Sequence, residues 1–272
     1  MNFRLPLLSL LLFFTNFLSF AQEAKAPSYQ QALKLYQDKA YSESILAIRR
    51  IIEAEGKSYK IHYLAGYNYW KLGSLEKARL HLQAAKQFDS SKVDIWLDLV
   101  KVYSLQKKYA KALKVNRAAI KTFPDSLPLK LLEASVLARN KQSSAALKKV
   151  EALKAAYSSD YRPLSLEARL YFRRKQYDKA EFSMKVAESL APKHPGIKNN
   201  IALIYERMAR GLLWRSKTLK KKGKVEKAKT LQQTAKQKLA EATRYLQKAQ
   251  ELQTAKVYQE NLTRIRKLSE SL

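Results

Sequence analysis

Apolar positions recur along the chain with a long, regular period. Compact residues stand at Ala32, Gly66, Val100, Ala134, Ala168 and Ala202, each 34 residues after the last. Three residues beyond each comes a larger one: Leu35, Tyr69, Tyr103, Leu137, Tyr171 and Tyr205. A second set keeps the same register, with Ser44, Ala78, Ala112, Ala146 and Ala180 followed seven residues on by Ile51, Ala85, Ala119, Leu153 and Ala187. Spacings of three and seven put residues on one face of a helix. Between the two sets lie short polar segments: "QDKAYSES", "KLGSLEKA", "QKKYAKA", "NKQSSAA" and "RKQYDKA". Each 34-residue unit therefore predicts two helices joined by a tight turn, with five units starting near residues 25, 59, 93, 127 and 161. The unit at 127–160 fits least well, because Lys130 and Glu133 replace apolar residues.

The spacing and these residues resemble the tetratricopeptide repeat family, over roughly 25 to 256. Pro124 and Pro192 close two units, and Trp96 fills the family's Trp place in the third. The resemblance implies an all-α fold, a right-handed α-solenoid of antiparallel helix pairs. One helix pair cannot bury its own apolar face, so neighbours stack and fill the gaps with large side chains. Trp96, Tyr69, Tyr103, Tyr171 and Tyr205 are accordingly expected to fill the core.

The sixth unit, 195–255, departs from the period. Its second-helix pattern returns at Ala242, Leu246 and Ala249, about 28 residues late, with the turn candidate Gly223 midway. Each helix thus gains about 14 residues, close to four turns, so facing sides are kept. Ala228, Ala235, Ala242 and Ala249 recur every seven residues, a narrow seam for close antiparallel packing. Tyr205, Met208, Leu212 and Leu219 supply the larger side chains opposite. The expectation is a helical hairpin projecting about 20 Å. Its tip is Lys-rich: Lys217, Lys220, Lys221, Lys222, Lys224, Lys227 and Lys229. Residues 256–272 read as an amphipathic capping helix.

Composition adds three constraints. Six Gly and seven Pro leave long uninterrupted stretches, which favours helices. Lys and Arg number 53 against 23 Asp and Glu, a formal charge of +30 that bears on anionic partners rather than on fold. Cys is absent, which excludes disulfides, thiolate catalysis and Cys-held metals. At the N-terminus Arg4, an apolar run from Leu5 to Phe20 and the small residues Ser19 and Ala21 read as a secretory signal peptide, 1–21, cleaved after Ala21. The alternative is an uncleaved N-terminal membrane anchor. Export to the periplasm or cell envelope is the expected localisation.

Candidate chemistry is sparse. His62, His81 and His194 show no His partner at metal-ligand spacing, no Gly-rich phosphate loop occurs, and nothing pairs a nucleophile with a base. No catalytic residue, metal or cofactor is expected. "NLT" at 261–263 matches a glycosylation sequon by pattern alone.

In the family that the chain resembles, first-helix residues just off the packing places line a concave surface. That phase gives Tyr29, Leu33 and Tyr36, then Tyr63, Tyr67, Trp70 and Lys71, then Leu97 and Lys101, then Arg139. Later units add Arg162, Arg169, Phe172 and Arg173, then Asn199, Asn200, Leu203 and Arg207. Tyr, Trp and Arg are common binding anchors. The candidate partner-binding groove is Tyr36, Tyr63, Tyr67, Trp70, Lys71, Lys101, Arg139, Arg169, Phe172 and Arg173. The Lys/Asn clamp by which some relatives hold chaperone tails is not carried over, because Tyr29 and Leu33 occupy its opening places. The reading is a non-enzymatic scaffold for a peptide or protein partner, acidic given the arginines. The alternative is binding of an anionic polymer or membrane surface by the Lys-rich tip. Nucleic acid fits the same charge but not an exported chain.

Overall fold

The computed structural model describes residues 26–270, so the signal-peptide expectation at 1–21 lies outside the described residues. The described residues form thirteen helices, α1 to α13, and no strand. The chain divides into two compact units, one ending at Lys107 and one beginning at Lys108. The first contains α1 (Tyr29–Gln37), α2 (Tyr41–Glu55), α3 (Tyr59–Lys71), α4 (Leu75–Phe88) and α5 (Val93–Leu105). The second contains α6 (Tyr109–Thr122), α7 (Leu127–Arg139), α8 (Ser143–Ala156), α9 (Tyr161–Arg173), α10 (Tyr177–Leu190), α11 (Pro195–Lys221), α12 (Val225–Leu252) and α13 (Lys256–Glu270).

Local signals start and stop these helices. Ser28 and Gln31 form a capping box on α1, and Ser58 and Asp160 cap α3 and α9 by accepting from backbone N–H groups. His194 caps α11, its Nδ1 accepting from the Ile197 N–H at 3.3 Å. First helices end on a residue in the left-handed region: Lys39 (φ 64), Gly73 (φ 74), Lys107 (φ 60), Lys141 (φ 62) and Lys175 (φ 59), each 34 residues apart. The next residue's N–H then bonds back into the helix, from Ala40 to Leu35 O (2.9 Å), Ser74 to Tyr69 O (2.9 Å), Gln142 to Leu137 O (2.9 Å) and Gln176 to Tyr171 O (3.0 Å). This is a C-capping turn usually reserved for Gly. Four of the five are Lys, whose Cβ makes the conformation cost about 1 kcal/mol.

Packing follows the small positions. In the first unit Ser44 Oγ donates to Ala32 O at 2.8 Å and itself accepts from Asn68 Nδ2 at 3.0 Å, locking α1, α2 and α3 together through buried groups. Gly66 lets α4 approach α3, since a Cβ there would lie 2.9 Å from Leu82, which is fully buried. Trp96 and Tyr69 are buried as core residues, and the Trp96 indole N–H donates to Ser90 O at 2.9 Å.

In the second unit the poorly matching residues of 127–160 find partners. Glu133 is buried and its oxygens meet Lys149 at 2.8 Å and Arg117 at 3.2 Å, while Lys130 donates to the Tyr157 hydroxyl at 3.0 Å. The elongated hairpin is present: α11 has 27 residues and α12 has 28, against 13 or 14 in α7 to α10. Its turn at Gly223 (φ 73) follows Lys175 by 48 residues rather than 34. Ala228, Ala235, Ala242 and Ala249 are all buried, forming the seam, and Ser216 Oγ donates across it to Ala228 O at 2.7 Å. Helix α13 packs on α12 and is pinned by Arg264, which grips the buried Glu206 with both Nε (3.0 Å) and Nη2 (2.7 Å).

Candidate binding surfaces of the two units

In the first unit, the sequence-predicted residues Tyr36, Tyr63, Tyr67 and Trp70 come together as one ring cluster. Helix α3 places Tyr63, Tyr67 and Trp70 a turn apart, and the end of α1 brings in Tyr36. Tyr63 and Tyr67 meet edge to face at 5.0 Å, Tyr36 and Tyr67 at 6.1 Å, and Tyr67 and Trp70 lie 5.9 Å apart and tilted by 31°. All four rings are half-buried. Sequence reasoning missed the residue that organises them. Asp98 on α5 is 2% exposed, and its Oδ2 accepts from both the Tyr63 hydroxyl (2.7 Å) and the Tyr67 hydroxyl (2.5 Å). Its Oδ1 accepts from Lys101 at 2.8 Å. Burial and these hydrogen bonds hold both phenols well above the usual tyrosine range, so they stay protonated donors. The available signal was an Asp inside the otherwise apolar run "IWLDLV". Lys101 thus neutralises Asp98, and Lys71 is exposed at the end of α3 with no hydrogen bond to the cluster. What the surface offers a ligand is ring area already fixed in place.

The second unit brings Arg139, Arg169, Phe172 and Arg173 together. Arg169 is pushed down from the usual guanidinium range by burial, then by the charge of Arg173 and of Arg139. Arg173 is pushed down by burial and by Arg139. Both side chains still reach solvent, the combination expected of cations set against a protein wall. No carboxylate among the described residues pairs with any of the three. By contrast Glu133, Glu167 and Glu206, the buried glutamates of this unit, are all held by other cations. Arg169, Phe172 and Arg173 line a cavity of ≈ 280 Å³ whose wall continues through Met184, Leu203 and Ile204, with Asn200 as its further polar group. Arg162 does not join them: it pairs with Asp160 at 2.5 Å.

The seven tip lysines, Lys217, Lys220, Lys221, Lys222, Lys224, Lys227 and Lys229, are all exposed, and among the described residues only Lys229 of the seven has a carboxylate partner, Glu226 at 2.9 Å. Two of the histidines come together. His62 and His81, without partners by sequence spacing, meet with Nδ1 atoms 3.0 Å apart, because α3 and α4 are antiparallel and the two face each other across the turn. Burial, then the charges of His62 and Arg49, push His81 down to about 4, and burial lowers His62 as well. The pair is therefore neutral at pH 7, one Nδ1 donating and the other accepting. No group of three or more potential metal ligands exists among the described residues. The sequon's Asn261 is buried and donates to Asn199 at 2.8 Å, so its amide is not offered to a modifying enzyme.

The tetratricopeptide repeat profile matches residues 59–92, the helix pair α3–α4. No curated protein matches the chain. Among solved structures, a tetratricopeptide repeat protein from Parabacteroides merdae is 15% identical over 87% of this chain and 96% of its own, with TM-score 0.53. A thermophilic repeat protein from Thermus thermophilus is 19% identical over 64% and 95%, with TM-score 0.51. A monomeric mutant of IFIT1, solved with Gppp-AAAA, is 17% identical over 94% of this chain and 60% of its own, with TM-score 0.55. Identities this low establish a shared fold: an all-α solenoid of tetratricopeptide type.

Proposed function

We propose that the chain is a non-enzymatic scaffold of the periplasm or cell envelope that holds a peptide or protein partner bearing a carboxylate. The observation that carries this reading is Arg169 and Arg173, which line an apolar cavity, with the charge of Arg139 acting on both and no neutralising acid among the described residues. A ligand carboxylate relieves that repulsion and accepts bidentate hydrogen bonds, while an adjacent apolar group fills the cavity. The ring cluster at Tyr67 and Trp70 supplies a second contact surface, already ordered by Asp98, which lowers the entropy lost on binding. The repeat fold is one commonly used for protein–protein interaction, and the envelope location rests on the signal-peptide pattern expected at 1–21.

The test is a pull-down from cell-envelope extract with three baits: the wild type, Arg169→Ala/Arg173→Ala and Tyr67→Ala/Trp70→Ala. A discrete protein held through a high-salt wash, with affinity reduced roughly 10- to 100-fold by the arginine variant, supports the reading. A partner indifferent to both variants sinks it.

A further inference from the structure

The hairpin carries a further surface, which shares only Arg207 with the concave phase of the first helices. Residues 207–222 of α11 and its end hold Arg207, Arg210, Arg215, Lys217, Lys220, Lys221 and Lys222, with no Asp or Glu among them. At 100° per residue, Arg207, Arg210, Trp214, Lys217 and Lys221 fall on one stripe. That stripe faces away from Tyr205, Ala209 and Ser216, the buried side against α12. All five stripe residues are exposed. Trp214 stands in the middle at 70% exposure, and its indole has neither a hydrogen-bond partner nor a ring contact among the described residues. Only Arg210 is paired, with Glu206 at 2.9 Å.

Trp214 is thus the one large apolar side chain on a face otherwise made of cations. Clustered cations are drawn to an anionic leaflet, and an indole among them prefers the headgroup level. No helix among the described residues is long and apolar enough to cross a membrane, so this face would lie on a bilayer and not span it. The separation also decides the pose. From Arg207 to Lys221 the stripe runs about 20 Å, and Trp214 lies about 10 Å back from the helix end. End-on contact through the tip would leave Trp214 in water, whereas side-on contact brings it and the stripe cations to the surface together.

We infer that the outer face of α11, Arg207 to Lys222, is a docking surface for an anionic lipid bilayer, laid side-on with Trp214 at the headgroup boundary. Each cation brought to such a surface strengthens binding about fivefold. The expected ligand chemistry is therefore clustered lipid phosphates beside acyl chain, not a single bound phosphate.

The experiment uses the full chain and phosphatidylcholine vesicles made with and without phosphatidylglycerol. The three tryptophans differ enough to be told apart: Trp96 is buried, Trp70 is half-buried and Trp214 is exposed. Phosphatidylglycerol-dependent binding with a blue shift of emission is expected. Trp214→Phe should abolish the shift. Lys217→Gln/Lys221→Gln/Lys222→Gln should weaken binding by about 100-fold with an unchanged circular dichroism spectrum. Equal binding to both vesicle types, as an apolar N-terminal segment alone would give, overturns the inference. So does Trp214 emission that stays at its value in water. Preferential binding of a double-stranded oligonucleotide, with vesicles displaced, assigns the face to a polymer and also overturns it.

Discussion

The ring cluster of α3 and the arginine cluster of α9 are both polar-edged and half-exposed, yet they treat charge in opposite ways. Around Tyr63 and Tyr67 the charge is balanced: two hydroxyls and one ammonium converge on the two oxygens of Asp98. Around Arg169 the like charges face each other and the acids of the same unit are engaged elsewhere. The first arrangement is finished without a ligand and contributes to folding. The second is unfinished, costs the folded state some stability, and is completed only by an anion from outside. A satisfied polar group is evidence about structure; an unsatisfied charged group is evidence about binding.

The sharpest way to break this contrast is Asp98→Ala. It leaves two phenol hydroxyls without their acceptor, and a loss of about 3 kcal/mol in urea-unfolding stability is expected. Next comes acid. His81 titrates near 4 in the folded state and near 6.5 when unfolded, so the unfolded chain takes up the proton first. Stability in the first unit should fall as pH drops from about 6.5 toward 4, and His81→Phe should flatten that part of the profile in thermal melts. The arginine cluster, which does not titrate there, contributes no slope. Arg169→Met should then raise the melting temperature slightly, since it removes a repelled cation from an exposed site and keeps its apolar stem volume, while weakening an acidic partner. An unchanged or lowered melting temperature would show that the arginines are not in conflict. The smallest effect expected is at the turns. Lys141→Gly or Lys175→Gly relieves left-handed strain at the cost of a more flexible unfolded chain, a net gain of about 0.5 kcal/mol by chemical denaturation.

The repeat register and the elongated hairpin were legible because they follow from spacing alone. Compact residues every 34 positions and an Ala every seven can be counted. The polar contacts were not legible, because each joins residues that the fold brings together from distant parts of the sequence. Asp98 lies 31 and 35 residues from the tyrosines it binds, and His62 lies 19 from His81. In retrospect one rule reaches some of them. Ser44 with Ala32, His62 with His81 and Ser216 with Ala228 pair across their turns, each centred about one residue before the left-handed residue at Lys39, Gly73 or Gly223. Applying that rule needs the turn residue first, and a left-handed Lys gives no sign of itself as Gly would. The ring cluster and the arginine cluster were found from the phase of the first helices. That phase identifies which side chains face out, but not which of them the protein has already neutralised.

The Ala seam also makes the α11–α12 hairpin a spacer of adjustable length. Its contacts repeat every seven residues on α12 against a matching run on α11, so cutting seven residues from each arm would restore the same facing partners nearer the base. Each matched cut would draw the basic turn in by about 10 Å. A seven-residue cut in one arm alone would keep the facing side but slide every contact beyond it by about 10 Å, leaving the arms unequal. Reach, in this molecule, can be set in discrete increments without rebuilding the repeats that carry it.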